Sequence, residues 1–199
     1  MPTKPHMRGL ANKSKEVILI MSTECEKKIK NQLEVLKRID TYIGTTNTKC
    51  TIIMSYCAAA IAFIFVFLRE LDPDKASVAL MVAVGVFTIL ALAFAMCCLI
   101  LATLTIFPVT YSSPTSHRAK SLIFYGDISG FDGGALGYVK KIKETSDEEF
   151  LDDLNNQIHT LSIIAGGKFS RIKVLAALLM AHFLCISIIL IIGVVYFLG

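Results

Sequence analysis

The chain reads as a mainly α integral membrane protein with three transmembrane helices, an N-terminal amphipathic cytoplasmic helix and a small cytoplasmic insertion between spans two and three. Three observations predict this. Of 199 residues, 54% are hydrophobic and only 18% charged, too apolar a balance for an ordinary water-soluble domain. Three uncharged runs reach the length of about 20 residues that a bilayer-spanning helix needs. The basic residues are also segregated. Ten Lys and Arg precede the first run, two lie between the first and second, eight lie between the second and third, and none follows. Basic loops stay on the cytoplasmic side. The N-terminus and residues 110–173 are therefore expected inside, and the 69–75 loop and the C-terminus outside.

Each element follows in order. Residues 1–13, with Pro2, Pro5 and Gly9, read as a mobile tail. Val17–Met21 is too short for the apolar part of a signal peptide, so the chain is expected to enter the membrane through its own spans. Residues 14–46 read as an amphipathic helix. Thr23 and Glu26 have capping-box spacing, and Cys25, Ile29, Leu33, Leu36 and Ile43 recur at helical intervals. Glu24, Glu26, Glu34 and Asp40 offset its basic charge, which favours packing against protein over lying on a membrane surface. Gly44–Lys49 is expected to break or bend the chain before the first span, residues 50–68. The loop 69–75 leads to the second span, 76–109, long enough to tilt or project from the hydrocarbon. The third span is 174–198.

The segment 110–173 holds most of the chemistry. Ser121–Ser129 reads as a strand or buried irregular chain, and Gly130–Gly137 as a turn-rich stretch. Ala135–Thr145 is a short helix or strand. Ser146 stands at an N-cap position before Asp147, Glu148 and Glu149, which suit the first turn of a helix. Phe150, Leu154, Ile158, Leu161 and Ala165 then form its apolar stripe. Gly166–Gly167 is a candidate kink, after which the helix runs toward the third span.

Catalytic chemistry is not indicated, and the chain is not expected to be an enzyme. Adjacent carboxylates at Glu148/Glu149 and Asp152/Asp153 point to different faces of a helix and read as solvated partners of its dipole. The six cysteines show no CxxC pair, and four of them sit in apolar runs, so neither a disulfide framework nor a zinc site is expected. His6, His117, His159 and His182 lack ligand partners at helical spacing, and no metal or cofactor is expected. His182 interrupts the third span. A neutral imidazole bonded to a neighbouring helix is favoured there over a proton relay, although ionisable groups at membrane depth are often functional. The glycines of Gly126–Gly134 match neither a P-loop nor a dinucleotide fingerprint.

Binding fits these residues better than catalysis does, although on the residues alone the bland structural alternative below is favoured. A small anionic ligand calls for Arg or Lys against phosphate oxygens, Gly-rich turns and an aromatic face for stacking. The candidates are Arg118, Phe124, Tyr125, Gly126, Asp127, Lys168 and Arg171, with Phe131, Gly133 and Gly134 nearby in sequence. Arg118, Lys168 and Arg171 suit phosphate, and Tyr125 suits stacking. The bland alternative makes Phe124 and Tyr125 core residues and Lys168 and Arg171 interfacial anchors.

Three stretches carry a resemblance: residues 45–63 leading into span one, Ser121–Ser129, and Leu151–Met180 leading into span three. Within them stand Asn47–Lys49–Cys50, Leu122–Phe124–Tyr125–Gly126, Gln157–Ile158–His159 and Lys168–Phe169. They resemble the membrane effectors of the Pycsar antiphage systems. Asn47 stands where that family favours Asp, and His159 where it favours Tyr. The resemblance implies an effector activated by a cyclic pyrimidine mononucleotide, cUMP or cCMP, made by a partner cyclase during infection. It implies a bacterial inner-membrane location, impaired membrane integrity and abortive infection. Small-residue runs at Ala58–Ala62 and Ala76–Ala83 suit close helix packing, and a homo-oligomer is expected, with no nucleic-acid polymer as partner. The alternative is a constitutive membrane anchor or scaffold that binds a protein through the N-terminal helix.

Overall fold

A computed structural model describes residues 4–72, 76–108 and 120–198, with side chains from residue 23 onward. Five helices follow one another: α1 (Lys4–Glu70), α2 (Val78–Ile106), α3 (Tyr125–Ser129), α4 (Gly134–Glu144) and α5 (Asp147–Leu198). No strand occurs among the described residues. α1, α2 and α5 are each long and apolar enough to cross a membrane. The contacts divide the chain into two units. One comprises Met1–Thr41 and Thr110–Ile164, the other Tyr42–Val109 and Ala165–Gly199.

The second unit is a three-helix bundle whose seam follows a heptad-like rhythm. α2 buries Val84, Thr88, Ala91, Ala95, Cys98, Ala102 and Thr105, alternating steps of four and three residues. α5 buries Lys168, Leu175, His182 and Ile189 at steps of seven, and α1 buries Cys50, Cys57, Ala60, Ile64 and Phe67. A 3.5-residue repeat keeps one stripe facing its neighbours along a left-handed supercoil. The α2 stripe is made of small side chains, so backbones approach closely, as spans do where no hydrophobic effect separates protein from lipid. The large apolar residues turn outward instead, among them Ile52, Phe65, Ile89, Ile100, Leu184 and Ile191. That arrangement suits a hydrocarbon solvent. Of the alanine runs expected to mediate packing, Ala60 is buried, while Ala58, Ala59 and Ala62 are exposed.

Several elements differ from the sequence expectation. α1 begins at Lys4 and continues through Gly44–Lys49 without a break, so residues 4–13 of the expected tail are helical, residues 1–3 lie outside the described residues, and no bend precedes the first span. Side chains explain the second point. The hydroxyls of Thr41, Thr46, Thr48, Thr51 and Ser55 each donate to the carbonyl one turn back, and so satisfy themselves inside the helix. α5 likewise runs through Gly166–Gly167 as one helix. The expected strand or irregular chain at Ser121–Ser129 ends in the short helix α3, and the ambiguous 135–145 stretch is helical. The α5 start is as expected: Ser146 Oγ accepts from the Glu149 N–H at 3.2 Å. Ser77 caps α2 in the same way.

Candidate functional site

In the first unit, Ser121 is the hub of a polar latch. Its hydroxyl donates to Asp153 Oδ2 of α5 at 3.0 Å. Ser121 Oγ in turn accepts from the Ile123 and Phe124 N–H groups and from Gln157 Nε2, the last at 3.0 Å. Asp153 Oδ2 also accepts the Leu122 N–H at 2.8 Å, and Asp127 Oδ2 accepts the Ser121 N–H at 3.0 Å. Tyr138 of α4 closes the arrangement by donating to the Leu122 carbonyl at 2.9 Å. Ser121 and Leu122 are buried, so each of these groups would otherwise lose its water partner without replacement. The latch ties α3, α4 and α5 to one buried turn. Asp153 therefore does not fit the expectation of a solvated dipole partner, whereas its neighbour Asp152 is exposed.

The glycines next to the latch have steric roles. Gly133, the residue before α4, takes a left-handed φ of 76°. A Cβ on Gly137 would lie 2.0 Å from the Asp132 carbonyl oxygen, backbone that cannot move aside without unmaking the turn. Gly137→Ala is therefore expected to destabilise the protein by about 1–3 kcal/mol, read as a lower unfolding midpoint. A midpoint equal to wild type would contradict this packing. Lys120 fastens the same turn by donating to the Gly130 carbonyl at 2.7 Å and Asp132 Oδ1 at 2.8 Å. Its ammonium lies 5.9 Å from the Phe131 ring centroid.

Of the sequence candidates in this unit, Phe124 and Tyr125 pack ring to ring at 4.9 Å. Tyr125 remains 66% exposed, so one aromatic face is open to a ligand. Gly126 sits against Phe124, where a Cβ would come within 2.6 Å of the ring. Asp127 holds the Ser121 amide. Arg118 lies outside the described residues.

Lys168 and Arg171 belong to the second unit, where they meet the end of a helix. Lys168 Nζ donates to Asn47 Oδ1 of α1 at 3.0 Å and to the Thr105 carbonyl of α2. Arg171 donates to the Leu104 carbonyl at 3.1 Å. Phe107 supplies its N–H to the Thr103 carbonyl. Three of the last four carbonyls of α2 are thereby satisfied, each of which lacks an intrahelical partner. The partial negative charge at a helix C-terminus is what two cations would seek. Lys168 is only 4% exposed. Burial pulls its ammonium below the usual lysine pKa, and the Arg171 charge adds to that. The cluster lies before residue 174, where the third span begins. The sequence offered both, with Arg118, as phosphate candidates; a helix end and an anion attract the same side chains.

Asn47 and Lys168 come from two of the short stretches that carry the resemblance, and here they are hydrogen-bonded. Asn47→Asp is expected to place a carboxylate on the buried ammonium and raise the unfolding midpoint, by about 1 kcal/mol of stability. A lower midpoint would mean that desolvating the new charge outweighs the pairing.

His182 is fully buried in the bundle, and its Nδ1 meets the Ala91 carbonyl of α2 at 3.0 Å. This is the helix-to-helix hydrogen bond favoured from sequence. Among the described residues, no group of three or more His, Cys, Asp or Glu gathers in a metal-binding arrangement.

No curated protein and no solved structure matches this chain. A family model described as the Pycsar effector protein domain matches residues 31–197. That range takes in the latch around Ser121, the cap on α2 and all three spans. With most of its length matched, and with three helices able to cross a bilayer, the chain belongs to the Pycsar effector family.

Proposed function

We propose that the chain is an inner-membrane effector activated by a cyclic pyrimidine mononucleotide, cUMP or cCMP, from a partner cyclase. Activation impairs the membrane and aborts infection. The N-terminus and residues 110–173 face the cytoplasm and the C-terminus faces outside, in keeping with the distribution of Lys and Arg. Family membership supports the effector role. The observation that carries the ligand-response reading is the double use of α5. Asp153 and Gln157 of that helix hold the Ser121 latch in one unit. Lys168 and Arg171 of the same helix cap α2 in the other. A ligand that rearranges the turn after Ser121 acts on a helix that also closes the bundle.

In this reading Tyr125 stacks on the base, the 124–127 turn contributes backbone groups, and Arg118 is the phosphate candidate, while Arg171 stays on the α2 cap. Lys168 acts through the α2 cap. Two states of the bundle, with the ligand favouring one, suffice for a switch. Three spans are too few to enclose a wide pore, so several copies assemble. The windows of highest hydropathy in the spans are at most 28% buried within the chain, which leaves ample apolar surface for other copies.

A thermal-shift titration of the detergent-solubilised full chain tests the ligand. Cyclic UMP or cyclic CMP is expected to raise the midpoint, and cyclic AMP to leave it unchanged. No response to either pyrimidine nucleotide would favour the constitutive scaffold. Cross-linking in membranes is expected to show oligomers, and monomers alone with nucleotide present would count against assembly.

A further inference from the structure

Within the spans, two polar atoms are buried with no hydrogen-bond partner: His182 Nε2 on α5 and Thr88 Oγ1 on α2. His182 is 0% exposed and Thr88 is 6% exposed. An unsatisfied buried polar group costs about 1–3 kcal/mol, and a leucine and a valine would avoid that at both positions. The two groups belong to the same stretch of the bundle. His182 Nδ1 bonds to the Ala91 carbonyl, and Thr88 lies one turn from Ala91 on the same buried stripe of α2. Ala91 itself stands near the midpoint of that helix.

The hydrogen bond fixes the chemistry of the ring. A carbonyl only accepts, so Nδ1 carries a proton, and in the neutral ring Nε2 presents a lone pair. Thr88 supplies a hydroxyl that can donate or accept. A lone pair and a hydroxyl are two of the two to four polar partners that a buried water requires. Val84 and Ala91 of α2 and Cys185 of α5 are buried in one cluster of the bundle. The Tyr56 ring lies 5.6 Å from the imidazole, edge to face.

We propose that His182 and Thr88 form a water- and proton-binding site in the middle of the membrane-spanning bundle. Water bridges Nε2 and the Thr88 hydroxyl. A proton delivered through that water adds to the Nε2 lone pair, giving an imidazolium whose two N–H groups both have acceptors: the Ala91 carbonyl and the water or Thr88 oxygen. Returning the proton to water restores the starting tautomer, so the cycle consumes nothing. The other titratable groups turned toward the bundle interior are Cys50, Tyr56 and Cys57 on α1, Cys98 on α2, and Lys168, Cys185 and Tyr196 on α5. No Asp, Glu, Lys or Arg lies within residues 50–68, 78–106 or 174–198 to hold the proton instead.

The test is nitrogen-15 NMR of the histidine-labelled full chain in lipid bilayers, with no nucleotide present, so the outcome is separate from that of ligand response. Subtracting the spectrum of His182→Gln identifies the resonance. The expected result is a neutral ring protonated at Nδ1 in alkaline buffer, magnetisation transfer from water to Nε2, and conversion to imidazolium on acidification. Thr88→Val is expected to weaken the water transfer while His182 stays bonded to α2. A ring that receives nothing from water and stays neutral down to the pH at which the fold is lost would overturn the proposal. So would water transfer and titration unchanged by Thr88→Val.

Discussion

Lys168→Met is expected to lower the stability of the solubilised protein by about 2 kcal/mol and to make its expression toxic without any cyclase. The substitution keeps an unbranched apolar stem, with a thioether in place of a methylene, and removes the ammonium. Asn47 Oδ1 and the Thr105 carbonyl then lose their donor. Hydrogen bonds to a charged group contribute about 1.5–3 kcal/mol, and an orphaned buried acceptor carries its own cost. Some of that loss is offset because a buried charge no longer has to be desolvated. The end of α2 is left with Arg171 alone on its last turn, and α1 loses its polar tie to α5. If the cap holds the bundle in its inert state, weakening it shifts the population toward the active one. Growth of cells expressing the variant, beside its melting curve, reads both effects. A variant that melts with wild type and is harmless would remove the cap from the switch.

Asp153→Ala is expected to cost about 3 kcal/mol and to abolish the response to nucleotide. One carboxylate oxygen accepts from both the Ser121 hydroxyl and the Leu122 N–H. Alanine strands both donors in a buried place, at about 1–3 kcal/mol each. The amides of residues 121–124 are expected to exchange faster with solvent, since this turn is held by side chains and not by a ladder of backbone bonds. Asp152→Ala is the internal control. Asp152 is exposed on the same helix, and a surface change of that kind stays within about 0.5 kcal/mol. Equal effects from the two variants would mean that helix charge, and not the latch, matters.

The spans were legible because their signal is cumulative: dozens of apolar residues point the same way, and no soluble fold covers three such runs. The α5 N-terminus was legible because a serine cap and three acids form a local signature, and the stripe from Phe150 to Ala165 was legible because helical period is local too. Leu154 and Ala165 of that stripe are fully or nearly fully buried. The continuity of α1 through Gly44–Lys49 was not. Glycine and threonine disfavour helix as isolated residues, but the threonine hydroxyls bond back to their own helix, and flanking turns carry the segment through. Asp153 was misread for a related reason. Two neighbouring acids look alike in a sequence, and only the chain that packs against one of them makes it a half-buried acceptor. Lys168 and Arg171 illustrate the remaining gap. A lysine that caps a distant helix has no spacing rule, because its partner is a backbone carbonyl more than sixty residues away. The small residues of α2 were visible as composition. Their alternation in steps of three and four was hidden by the equally apolar residues on the lipid-facing side.

The most direct test uses the purified full chain in sealed vesicles loaded with a self-quenching dye, with nucleotide added to the side bearing residues 110–173. Cyclic UMP or cyclic CMP is expected to release the dye, cyclic AMP is not, and Asp153→Ala is expected to leave the vesicles tight under all three. Vesicles that stay sealed while a pyrimidine nucleotide demonstrably binds the protein would contradict the coupling between the latch and the bundle.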